Sequence, residues 1–139
     1  MLKYKILLIL FVISLLASAM LAFMPSDTVC NIEDTCNSVQ LSKQAETFGI
    51  KNCHYGIIIF LFLTALTFSE IKNPKKFKRF VIDTGVILGA IISIYFIYTM
   101  IFVLNSYCQY CLAVDVSMIL GFLTLLIYHR RNKTWLKEH

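Results

Sequence analysis

The sequence predicts an all-α membrane protein, a bundle of four transmembrane helices with an extracytoplasmic loop or half-helix between the first and the second. Three observations carry that expectation. The 139 residues are 58% hydrophobic and only 15% charged, with a mean hydropathy of +0.73, which is too apolar for an ordinary soluble domain. Four apolar runs stand apart, at 6–24, 55–68, 80–104 and 108–128. Basic residues gather in alternate gaps between them, as the positive-inside rule requires of spanning helices.

The first run, expected as a helix over about 5–24, matches the roughly 20 apolar residues needed to cross a hydrocarbon core. A cleaved signal peptide is the competing reading, because Lys3 and Lys5 precede the run and Ala17, Ser18 and Ala19 resemble a cleavage site. The apolar stretch outlasts the usual signal core of about 7–15 residues. A retained helix ended by Pro25 is therefore expected. Residues 25–50 form the outer loop. The second run is short, so its helix is placed over 51–69, beginning near Lys51. Pro74 falls in the turn before a third helix at 80–104. The link at 105–107 is so short that the third helix and the fourth, 108–129, must form an antiparallel hairpin. Residues 1–139 make one domain, without repeats or low-complexity tracts.

Orientation follows from charge. Lys3 and Lys5 lie before the first run; Lys72, Lys75, Lys76, Lys78 and Arg79 lie between the second and third; Arg130, Arg131, Lys133 and Lys137 follow the fourth. Four spans put these eleven of the 13 basic residues on one side, leaving Lys43 and Lys51 on the other. An odd number of spans would split the clusters, so both termini are expected in the cytoplasm and the protein in the plasma membrane. The net charge of +5 is thereby accounted for by topology, with no call for a nucleic-acid partner. Asp83, near the cytoplasmic end of the third run, is expected to pair with Lys78 or Arg79.

The same arrangement puts Cys30, Cys36, Cys108 and Cys111 on the outer side, where disulfides persist. Cys108-Gln109-Tyr110-Cys111 opens the fourth helix. Its two sulfurs lie one turn apart, able to close a strained and readily exchanged disulfide, and the positive end of a helix favours thiolate. Two other readings exist. One takes the cysteines as structural staples; the other takes Cys-x5-Cys with Cys-x2-Cys as a zinc site, although the loop pair exceeds the usual spacing of zinc ligands. Asp115 lies about one turn inside a membrane helix, where a carboxylate is costly and by default functional. It shares a face with Cys108 and Cys111. His54, at the outer start of the second span, is a candidate partner for it and a candidate proton source. The alternative is a protonated, purely structural Asp115.

The run from Cys30 through Cys36, Asn37, Ser38, Val39, Gln40, Leu41 and Ser42, then Phe48, Gly49, Ile50, Asn52 and Gly56, and finally Cys108 and Cys111 resembles the vitamin K epoxide reductase family, over essentially the entire chain. The position of Cys-x-x-Cys on the fourth helix distinguishes it from the disulfide bond protein B family, where that motif lies in the first outer loop. The resemblance, closest to prokaryotic members, implies a quinone-dependent thiol–disulfide oxidoreductase. Cys30 and Cys36 would exchange with a partner protein, Cys36 would exchange with Cys108, and Cys111 would be the sulfur nearest the quinone. Ser42 would match a family loop serine, and Asn52 an asparagine that hydrogen-bonds a quinone carbonyl. The acceptor would be a ubiquinone, a menaquinone or a vitamin K type quinone. With no thioredoxin-like domain after the fourth helix, the redox partner would be a separate thioredoxin-fold protein. Three positions depart from the pattern: Lys51 replaces a proline, Asp115 replaces a tyrosine, and Cys53 has no family role and reads as an inert buried thiol. A reductase of vitamin K quinone or epoxide is the alternative within the family; a non-catalytic four-helix protein with structural or metal-binding cysteines is the alternative outside it.

Overall fold

The computed structural model describes residues 2–23, 43 and 46–138. Four long helices run through it: α1 (Leu2–Phe23), α2 (Asn52–Lys72), α3 (Lys76–Tyr98) and α4 (Gln109–Glu138), with a two-stranded hairpin of β1 (Glu46–Thr47) and β2 (Ile50–Lys51) ahead of α2. All four helices are long and apolar enough to cross a bilayer; the third span, Lys76–Val103, includes one wider π-helical turn, Thr99–Val103. The expected four-helix membrane bundle is the observed architecture. The boundaries moved outward: α3 begins four residues before the apolar run because Lys76 and Lys78 are good helix formers outside the lipid, and α4 runs on through the basic tail. Helix α2 begins at Asn52, beside the expected Lys51. Most of the outer loop, with any half-helix in it, lies outside the described residues.

The helices pack as a ring in which α1 lies against α2 and α4, and α3 against α4 and, less extensively, α2. Tyr4, Leu7 and Phe11 of α1, Phe60 and Leu63 of α2, Ile82 and Val86 of α3, and Met118 and Leu125 of α4 fill the centre. Close approach depends on small residues, as expected where lipid removes the usual hydrophobic drive between helices. A Cβ on Gly89 would collide with the Met118 methyl, and one on Gly56 would sit 2.9 Å from Ser18 Oγ. The outward faces are apolar too: Ile9, Leu16, Ile58, Leu61, Ile91, Ile94, Leu123 and Ile127 are all exposed. In water that surface would be a large liability, whereas in a bilayer it is solvated by acyl chains.

In the hairpin, Glu46 faces Lys51 and Thr47 faces Ile50, and the two linking residues, Phe48 and Gly49, both have positive φ. That is the signature of a two-residue primed turn. Lys51 joins this hairpin and then starts α2 as its cap residue without a side-chain cap.

The opposite end carries the charges. Glu70, 1% exposed, accepts from Arg79 Nε at 2.6 Å and from the Lys75 N–H at 2.8 Å. Lys78 instead reaches back to Ser69 Oγ at 2.6 Å. Asp83 pairs with Lys3 at 3.6 Å and not with Lys78 or Arg79 as expected. The reason is geometric: the α2–α3 turn commits both of those cations to α2, while α1 brings Lys3 alongside α3.

Candidate active site

The chain reverses between α3 and α4 over a few residues, and Asn105 takes a left-handed φ of 47° to do so. The π-helical turn feeds this reversal, ending with Leu104 N–H on the Thr99 carbonyl at 3.0 Å. Helix α4 then starts at Gln109, which makes Cys108 its N-cap residue. The Cys108 carbonyl accepts from Leu112 N–H at 2.9 Å, and its Sγ accepts from Cys111 N–H at 3.4 Å. A sulfur thus stands where a serine or aspartate oxygen normally caps a helix.

Cys108 and Cys111 have different surroundings. Cys108 is 0% exposed, packed with Met100, and Leu21, Leu104, Tyr110 and Leu112 close around the pair; Cys111 is half-buried. Cys108 stands one residue before the membrane-spanning segment. Its thiol is drawn below the usual thiol range, first by the hydrogen bond with the Cys111 side chain and further by the N–H groups of Cys111 and Tyr110, against the opposing effect of burial. That direction favours thiolate, the form that takes part in exchange.

Asp115, one turn further in, is 5% exposed. A polar neighbour of its carboxylate is the Ser93 hydroxyl of α3, itself buried. The candidate pairing with His54 does not form. His54 is exposed, and its Nδ1 lies 3.6 Å from Cys53 Sγ. Asp115 turns toward α3, the helix against which the start of α4 packs through the hairpin. Cys53 is half-buried in the first turn of α2, less enclosed than the inert buried thiol expected. Asn52 also opens α2, and its Oδ1 accepts from Thr47 Oγ1 at 2.8 Å, so the small hairpin fixes the amide's orientation. Cys30, Cys36 and Ser42 lie outside the described residues. Among the described residues, no group of three or more His, Cys, Asp or Glu side chains is placed to hold a metal ion.

A sequence model of the vitamin K epoxide reductase family matches residues 5–126. The chain belongs to the vitamin K epoxide reductase family. The match takes in all four spans, the hairpin and the Cys-x-x-Cys, so at the level of the family this is a multi-pass membrane oxidoreductase acting on thiols, disulfides and quinones. No curated protein sequence matches the chain. Proteins of this family use quinones as electron acceptors, and the residues present suit one. Cys111 is half-buried at the start of an apolar span, and Asn52 carries an amide of the kind that hydrogen-bonds a carbonyl.

Sequence reasoning missed two members of this site. Ser93 was legible as a polar interruption of an isoleucine-rich run, Ile91 to Ile94, but nothing in the sequence aimed it at Asp115. Met100 carried no signal at all, since methionine is unremarkable in an apolar helix.

Proposed function

We propose that this vitamin K epoxide reductase family member is a quinone-dependent thiol oxidase of the prokaryotic type, supporting disulfide formation on the outer face of the plasma membrane. The observation that carries the reading is the sulfur-capped α4, with Cys108 Sγ on the Cys111 N–H and Cys111 half-buried one turn on. In the proposed cycle, a thiolate of a separate thioredoxin-fold partner attacks the Cys30–Cys36 disulfide and leaves as the partner's own disulfide. The Cys30/Cys36 dithiol then exchanges with the Cys108–Cys111 disulfide, Cys36 bonding transiently to Cys108. Closing Cys108 and Cys111 again releases two electrons and two protons, and a bound ubiquinone, menaquinone or vitamin K type quinone supplies the two-electron, two-proton acceptor. Asn52 would orient that ring, Asp115 would hold or move a proton beside Cys111, and His54 and Ser42 would serve at the outer rim. A single domain over 1–139 performs the cycle, with both termini cytoplasmic as the basic clusters require.

The deciding experiment is quinone-dependent oxidation of a dithiol substrate by purified Cys108→Ala and Cys111→Ala proteins. Both should lose turnover while keeping their thermal unfolding in micelles. Turnover retained in both would overturn the reading. Orientation is tested separately by a reporter tag after His139, which should sit in the cytoplasm; an exterior tag would reverse the assignment.

A further inference from the structure

As the N-cap of α4, Cys108 has three polar groups to satisfy. Its sulfur takes the Cys111 N–H and its carbonyl takes the Leu112 N–H. Its own N–H remains. At many helix starts a Glu or Gln three positions on reaches back to that N–H, but here the position is Cys111, whose short side chain accepts no such bond. The Cys108 N–H donates instead to Met100 Sδ, 3.4 Å away in a buried setting.

Met100 sits in the π-helical turn Thr99–Val103, a distortion of a kind found often at functional sites. The turn holds the Met100 carbonyl against the Ser106 N–H at 3.3 Å, so one residue grips the reversal by its backbone and the cap by its side chain. At 3% exposure it also forms the apolar cluster around Cys108.

We propose that Met100 is a positioning residue for the redox pair: its thioether completes the α4 cap by accepting the Cys108 N–H, and thereby tunes the reactivity of the Cys108 sulfur and the reduction potential of the Cys108–Cys111 disulfide. The proposal rests on reading that pair as redox-active. An anchored Cys108 keeps its sulfur over the Cys111 N–H, which stabilises negative charge on it and so favours the reduced pair. Loosening the anchor makes the disulfide harder to reduce and the protein a weaker oxidant.

The test uses the full chain in micelles, with Met100→Leu, Met100→Gln and norleucine placed at position 100, which exchanges only the sulfur for a methylene. The potential of Cys108–Cys111 is read by equilibration with glutathione buffers and mass spectrometry, and the pH midpoint of Cys108 modification with a small methanethiosulfonate. Because a thioether is a weak acceptor, norleucine and Leu should shift the disulfide equilibrium about three- to tenfold toward the oxidised form, up to ~30 mV for tenfold, and raise the pH midpoint. Gln, which restores an acceptor, should return both readings toward the parent protein. An unchanged potential and midpoint with folded norleucine protein overturns the proposal, as does a shift of equal size in the Gln protein. These readings use thiol chemistry without turnover. If Cys108→Ala and Cys111→Ala both kept full turnover, the redox reading would fail while the Met100 result stayed interpretable on its own.

Discussion

Glu70 and Asp115 are carboxylates of nearly equal burial at opposite ends of the same bundle. Glu70 is met by a guanidinium and a backbone N–H at 2.6 and 2.8 Å. Asp115 is met by a serine hydroxyl, and among the described residues no ion pair reaches it. A buried carboxylate with a matched cation is a closed structural unit. One without a cation in a membrane helix is costly to retain, and at i, i+4 from Cys111 it is placed to act in proton transfer. The contrast separates an end closed by an ion pair from the end that carries the Cys-x-x-Cys. It also gives each end a different expected failure: loss of stability at one, loss of turnover at the other.

The largest effect should come from Asp115. General acid–base participation contributes about 10²–10⁴-fold, so Asp115→Asn, which can still hydrogen-bond but cannot titrate, should lower turnover at saturating quinone by that order while leaving unfolding in micelles almost unchanged. Loss in Asp115→Leu alone would mean positioning without proton transfer. Poorer folding with normal turnover per folded molecule would erase the contrast with Glu70.

At the other end, Arg79→Leu strips the cation from a sealed Glu70. Breaking a buried pair from one side costs about 3–5 kcal/mol; because the Arg79 side chain is 47% exposed, the loss should fall at the lower end of that range. Thermal unfolding checks it, and turnover per folded molecule should survive. Smallest of all, Lys3→Ala removes a partly exposed partner of Asp83 and should change stability by less than about 1 kcal/mol. An effect as large as that of Arg79→Leu would show that the two pairs work as one network.

Hydropathy and charge, read along the chain, determined the four spans, the antiparallel hairpin of α3 and α4, and the placing of Cys108 and Cys111 at the head of α4. These are local properties: transfer into lipid is summed residue by residue, and a three-residue link leaves no other route. The tertiary structure alone decided which polar groups meet. Asp115 finds Ser93 and not His54, Asp83 finds Lys3 and not Lys78 or Arg79, and Met100 reaches the Cys108 N–H, because partners across helices depend on how each helix is rotated about its axis. Within α3 the π-helical turn resets that rotation, and the run 80–104 looks the same with or without it.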